Sequence, residues 1–208
     1  MIQEYLEMTI NKNTNIIGDL FDFVINECGI DYNEFVSLFL KSTVRKKLEN
    51  KEYDYLIGKS GIELGLELLE EFGIAVDDYS TISFVRTKEY WSGWAISYFH
   101  HINGMDYRKI FELVTFEDVL RMYPTLHEAD ITKFVEVLEK LDKEKPSNLK
   151  KIRLNYGCSQ KELSLMSGVS LRSIQMYEQK RKDINKAQID AVIKIANALG
   201  CKVEDILD

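Results

Sequence analysis

The sequence predicts a mainly α protein, with a helical N-terminal domain followed by a C-terminal domain of five short helices. Three observations carry this. Proline is scarce, with only Pro124 and Pro146 in 208 residues, while Leu, Ile, Lys and Glu abound, a composition that favours helices. Apolar residues recur at three- and four-residue spacing through most of the chain. Several of these runs open with Ser, Thr or Asp three residues ahead of Glu, the pattern of a capping box. Hydrophobic residues make up 45% of the chain, enough for a packed core, which excludes global disorder.

In chain order, Ile16 to Ile25 carries the first clear helical stripe. Asp31 caps a second helix with Glu34 at its third position, placing Phe35, Leu38, Phe39 and Val44 near one face. Ser60 and Glu63 form a capping box that opens Ile62 to Phe72, which Gly73 ends. Thr81 to Val85 is β-branched and reads as a short strand. Thr87 caps an aromatic-rich helix from Lys88 to His101. Thr115 reads as another cap, and Thr125 with Glu128 as a capping box before Ile131 to Leu141. Residues 1–144 thus read as one acidic helical domain, for sensing, oligomerisation or partner binding.

The boundary is read at Leu141 to Asn148, a charged stretch containing Pro146. Proline disfavours helical angles at the residue before it, so a helix ends near Lys145. Residues 145–208 then form the second domain. Leu149 to Tyr156 is its first helix, with Leu149, Ile152 and Tyr156 inward and Gly157 as its stop. Ser159 caps Gln160 to Met166, with Glu162 closing the box. Ser167-Gly168-Val169 is a tight turn in which Gly168 supplies a positive φ. Ser170 caps Leu171 to Gln179, and the charged loop Lys180 to Asp183 follows. Lys186 to Leu199 presents Ile189, Val192, Ile193 and Ala196, and Gly200 ends it. Val203, Ile206 and Leu207 belong to a fifth helix, their apolar face either packing internally or building part of a dimer.

Charge divides the same way. Residues 145–208 hold 12 Lys and Arg against 7 Asp and Glu, a net of +5, while residues 1–144 hold 15 against 27, a net of −12. A basic unit on an acidic body points to a polyanion that only the tail touches. The overall net charge of −7 argues against non-specific coating of nucleic acid by the whole chain.

Other chemistries find little support. No apolar run is long enough to span a bilayer, and Met1 to Ile10 has the wrong charge for a secretory signal, so a cytoplasmic protein with no membrane contact is expected. Cys28, Cys158 and Cys201 are odd in number and widely spaced, which indicates neither a disulfide framework nor a zinc site. Gly58-Lys59-Ser60 lacks the earlier glycine of a phosphate-binding loop, since Tyr53 stands there. His100 and His101 diverge on a helix, and His127, Glu128 and Asp130 lack a metal-binding spacing. Trp91, Trp94, Tyr98 and Phe99 read as a buried stripe rather than a ligand cavity. No catalytic triad or dyad stands out. No enzyme activity, cofactor or metal is expected.

Ile152-Arg153, Ser159-Gln-Lys-Glu-Leu163, Gly168-Val-Ser170, Ile174, Glu178, Ala196-Asn-Ala-Leu-Gly200 and Val203-Glu-Asp-Ile-Leu207 together resemble the Cro/lambda-repressor-like, or XRE, family of helix-turn-helix regulators. The resemblance runs without a gap from Asn148 to Asp208, and the N-terminal domain carries none. It implies a five-helix phage-repressor-like fold, double-stranded DNA as partner, and a homodimer on half-sites about 34 Å apart. The recognition helix then exposes Ser170, Leu171, Arg172, Ser173, Gln175 and Met176 to bases. Arg172 is the best base reader, since its fork matches guanine O6 and N7. Leu171 and Met176 read either as thymine-methyl contacts or as half-buried packing. By the same resemblance Gln160, Lys180, Arg181, Lys182 and Lys186 bind phosphates, and Arg153 and Glu178 form a structural salt bridge.

Two functions follow. The first is a sequence-specific transcriptional regulator of the repressor kind. The second is an antitoxin-like protein whose acidic N-terminal domain binds a basic partner protein, such as a toxin, while the C-terminal domain represses its own operon.

Overall fold

The computed structural model describes residues 2–50, 52, 55, 58–76 and 86–207, and every regular element among them is helical. The protein is mainly α. It divides into two units, Met1–Leu138 and Glu139–Asp208. The expected strand at Thr81 to Val85 lies outside the described residues.

The first unit is built around α1 (Ile2–Asp22), which widens into a π-type turn over Phe23–Glu27. There the Cys28 amide donates five residues back to the Phe23 carbonyl at 3.0 Å, the pattern that defines such a turn. Asp31 caps α2 (Tyr32–Lys41), accepting from the Asn33 and Glu34 amides. Ser42 stops that helix and caps α3 (Thr43–Glu49). Val44 therefore sits on a separate helix, although it is as buried as Phe35 and Phe39. The box of Ser60 and Glu63 opens α4 (Gly61–Glu71), with Gly73 past its end at φ 71°. Thr87 caps α5 (Lys88–Asn103). Asp106 and Thr115 cap α6 (Tyr107–Leu113) and α7 (Phe116–Leu126).

One cap is placed differently. Thr125 lies inside α7, which runs through Pro124 to Leu126. Proline near a helix end forfeits one hydrogen bond but keeps a helical φ, and the His127 amide still reaches the Tyr123 carbonyl at 3.0 Å. The next helix, α8 (Thr132–Glu144), opens at Asp130, whose carboxylate accepts from the Thr132 amide at 2.9 Å and hydroxyl at 2.7 Å. These bonds hold the Asp130 carboxyl below the usual carboxylate range by favouring its charged form.

The core of this unit joins α1, α2, α4, α5, α6, α7 and the start of α8 through Leu20, Phe21, Phe35, Phe39, Leu68, Phe99, Tyr107 and Phe134. Helix α1 packs along α5 and against α4, close enough that glycine is required at both crossings. A Cβ at Gly93 would stand 2.6 Å from Phe21 Cγ, and one at Gly61 would stand 2.5 Å from the Ile16 carbonyl oxygen. The aromatic stripe of α5 is split. Trp91 and Phe99 are core, with Trp91 edge-on to Tyr123 and Phe134, while Trp94 and Tyr98 are only half-buried. His100 and His101 do not diverge as widely as expected. Their rings meet edge-on at 5.3 Å, and His100 also stacks on Tyr107.

The second unit begins in the last residues of α8 and continues through α9 (Asn148–Tyr156), α10 (Gln160–Ser167), α11 (Leu171–Glu178), a short 3-10 turn at Ile184–Lys186, α12 (Ile189–Leu199) and α13 (Val203–Ile206). Its separate core gathers Leu149, Leu163, Val169, Ile174, Tyr177, Ile184, Val192, Ile195, Ala196, Leu199 and Ile206. Val203 and Leu207 pack against it, so the apolar face of α13 is used internally. Three expected inward residues are instead exposed: Tyr156, Ile189 and Ile193. On α12 the buried stripe runs Val192, Ile195, Ala196 and Leu199, which turns Ile189 and Ile193 to the other side.

Candidate nucleic-acid interface

A chain of local hydrogen bonds fixes the turn between α10 and α11. Ser159 Oγ accepts from the Glu162 amide at 3.2 Å, and the Glu162 carboxylate accepts from the Ser159 amide at 2.7 Å. Hydrogen bonding from the Ser159 amide, and then from its side chain, holds the Glu162 carboxyl below its ordinary range. Gly168 ends α10 in the left-handed conformation at φ 69°, which only glycine adopts freely. Around it, Ser164 Oγ donates to the Val169 carbonyl at 2.7 Å and Ser167 Oγ accepts from the Val169 amide at 3.2 Å. Val169 itself is buried. The turn therefore has both a polar lock and an apolar anchor.

Ser170 then caps α11. Its Oγ accepts from the Ser173 amide at 3.1 Å and donates to Ser173 Oγ at 2.9 Å. Both hydroxyls are thus partly spent on the helix start. Ile174, Tyr177 and Glu178 face inward. The opposite side presents Ser170, Leu171 and Arg172 as exposed, with Ser173, Gln175 and Met176 half-exposed. Leu171 is 36% exposed. No described residue pairs with the Arg172 guanidinium, so its five donors stand open to a ligand.

Behind α11 lies a charged cluster. Arg153 grips Glu178 through two parallel bonds, Nε to Oε1 at 2.5 Å and Nη2 to Oε2 at 2.9 Å, and its Nη1 donates to the Cys158 carbonyl at 2.6 Å. The side chains are 8% and 1% exposed. A bidentate pair of this kind locks two helices in one register. Hydrogen bonding to Glu178 raises the Arg153 pKa above its ordinary value. Gln160, at the first position of α10, donates from Nε2 to Glu178 Oε2 at 2.8 Å. Its amide is therefore tied to the pair, beside the N-terminus of α10 where an anion is favoured.

The cations after α11 differ in their placement. Arg181, Lys182 and Lys186 are exposed. Lys182 Nζ lies 5.4 Å from the Tyr177 ring, and Lys186 Nζ lies 3.4 Å from Asp183. Lys180 is turned inward. Its side chain is 18% exposed, and Nζ donates to the carbonyl of Asp142 at 2.8 Å and to Asp142 Oδ1 at 3.0 Å. Asp142 was missed in the sequence, though a signal was there. A helical carbonyl pairs with the amide four residues on, and four residues after Asp142 stands Pro146, which has none.

Among the described residues, no group of three His, Cys, Asp or Glu is placed to hold a metal ion, and no helix is long and apolar enough to cross a membrane. No curated protein and no solved structure matches the chain. The family model described as Helix-turn-helix matches residues 149–206. That span covers α9 to α13, including the locked turn and the helix that follows it. Residues 149–206 are a helix-turn-helix domain of the Cro/lambda-repressor-like, or XRE, family of DNA-binding regulators.

Proposed function

We propose that the protein is a sequence-specific regulator of transcription, acting as a repressor and reading the major groove of double-stranded DNA with α11. One observation carries this most directly. The outer face of α11 offers Arg172 with no internal partner and Gln175 beside it, on a helix whose start is held rigid by Ser170 and Gly168. Rigid presentation matters because bidentate reading of a base edge tolerates little misplacement. Leu171 and Met176 suit thymine methyls, and the exposed Arg181, Lys182 and Lys186 suit phosphates, which set register and salt dependence rather than sequence choice. Gln160 joins the phosphate set through the start of α10.

Binding as a homodimer to a two-fold operator fits Ile189 and Ile193. They are 65% and 42% exposed, one turn apart on α12, where burial against a second copy removes apolar surface from water. In this reading residues 1–144 form a non-enzymatic domain that senses a ligand, oligomerises or binds a partner. The net charge of −12 on residues 1–144 favours a second, compatible reading. In it that domain holds a basic partner protein of the toxin kind, and the DNA-binding domain represses the shared operon.

The test is an electrophoretic shift with the protein's own upstream region against scrambled DNA, at two salt concentrations. Arg172→Ala is expected to lose about 1–3 kcal/mol of discrimination. Equal binding to both DNAs by the unmodified protein, or indifference to the substitution, overturns the reading.

A further inference from the structure

Lys180 is the only described residue other than glycine with a positive φ, at 52°. It sits just past the end of α11, the place where a left-handed residue closes a helix. The Lys180 amide reaches the Tyr177 carbonyl at 3.0 Å, and the Arg181 and Lys182 amides both return to the Met176 carbonyl, at 2.9 and 3.2 Å. The backbone of the basic loop therefore depends on a conformation that a lysine adopts only against a steric cost.

What holds it there is the end of α8. The Leu141 carbonyl receives the Lys145 amide at 3.0 Å, but the Asp142 carbonyl is left open by Pro146. That open carbonyl, the negative end of the helix and the Asp142 carboxylate converge on one point. Lys180 Nζ fills it, with hydrogen bonds to both oxygens. Asp142 and Lys180 both belong to the second unit, yet Asp142 precedes the matched residues 149–206.

We propose that Asp142 is a positioning residue for DNA binding. Through Lys180 it clasps the loop after the recognition helix, so that Arg181 and Lys182 stand ready for phosphates, while Lys180 itself is a strut and not a phosphate ligand. The proposal rests on the DNA-binding reading above. It extends the functional unit upstream of the helix-turn-helix domain to the last turn of α8, and it removes one cation from the expected phosphate set.

The test uses the full chain with Asp142→Asn, Lys180→Met, Lys180→Gly and the Asp142→Asn/Lys180→Met double variant. Affinity for the upstream region is measured against salt. Each single variant is expected to lose on the order of tenfold in affinity. The preference over scrambled DNA stays intact, the salt slope stays unchanged, and the double variant is no worse than either single one. Lys180→Gly separates backbone from clasp, because glycine accepts the positive φ without the side chain. Wild-type affinity in Lys180→Gly overturns the proposal. So does a gain in affinity in Asp142→Asn together with a salt slope reduced by about 1 in Lys180→Met, the mark of a lost phosphate contact. A DNA-free readout keeps the two ideas apart. Amide exchange at Arg181 and Lys182 is expected to quicken about tenfold in Asp142→Asn as the loop loosens, and unchanged exchange overturns the clasp. If the unmodified protein shows no preference between the DNAs, the DNA-binding reading falls, and exchange alone decides the clasp.

Discussion

At the scale of single residues, the Arg153–Glu178 pair shows how burial changes the meaning of a charge. On a surface such a pair contributes little. Here both side chains are almost fully buried and meet in two hydrogen bonds. Removing one partner strands the other in the core. Glu178→Ala is therefore expected to destabilise the second unit by about 3–5 kcal/mol, while Arg153→Met/Glu178→Leu costs much less. Chemical unfolding followed by a probe in the second unit checks both, and equal losses in the single and double variants refute the argument. Tyr107 gives the pH counterpart in the first unit. It is fully buried, its hydroxyl donates to Ser97 Oγ at 3.3 Å, and burial raises its pKa well above the usual phenol value. A raised acid pKa means that the folded state holds its proton longer than the unfolded chain. The resulting stability is complete below about pH 10, the ordinary phenol value, and declines as pH rises above it. Tyr107→Phe is expected to flatten the alkaline limb of the stability profile and to leave its slope near pH 7 unchanged. A limb equally steep in both proteins counts against it.

At the scale of elements, the clearest prediction lies where α1 crosses α5. A helix normally gains from replacing an interior glycine with alanine. At Gly93 that gain is outweighed, because the new methyl meets the Phe21 ring and the Ile17 carbonyl. Gly93→Ala is expected to lower stability by about 1–3 kcal/mol, measured by thermal unfolding, and a stabilised variant would show that α5 shifts without cost. This crossing also marks where the sequence stops being legible. Caps are local chemistry, so Asp31, Ser60, Thr87, Thr115, Ser159 and Ser170 can be read one by one, as can the glycine stops at Gly157, Gly168 and Gly200. The packing reason for Gly93 depends on a helix some seventy positions earlier and leaves no local mark. Thr125 misleads for a related reason. Its cap pattern is real, but Pro124 fits the last turn of α7 well enough for that helix to continue. Within the DNA-binding domain the outward face of α11 follows from the resemblance to the helix-turn-helix family. Ile189 and Ile193 do not, because two apolar stripes overlap on α12 and only packing selects Val192, Ile195, Ala196 and Leu199. The inward turn of Lys180 is likewise hidden, since a charged loop reads as solvated until its partner's missing amide donor is noticed.

At the scale of the whole molecule, the two charge balances oppose each other. A region of net +5 meets DNA while a region of net −12 is carried on the same chain. Both act through water, so their reach is set by ionic strength. The Debye length is about 10 Å at 0.1 M salt and about 30 Å at 0.01 M, the latter comparable to the width of a small domain. Near physiological salt only charges close to the phosphates should count, which under the proposed reading are those of Arg181, Lys182 and Lys186. At low salt the acidic body should repel DNA of any sequence, suppressing non-specific binding more than specific binding, which has base contacts to draw on. Glu117, Glu128 and Glu136 are suitable probes, with side chains 64%, 87% and 62% exposed. Replacing all three with Gln is expected to raise affinity for scrambled DNA several-fold at about 0.01 M salt, with little change at 0.1 M or above. The affinity ratio of upstream to scrambled DNA should then shrink only at low salt. Fluorescence anisotropy titrations across that range give the answer. An increase that persists at high salt would place those carboxylates near the bound duplex, and no increase at any salt would mean that the acidic domain has no electrostatic part in how this protein chooses DNA.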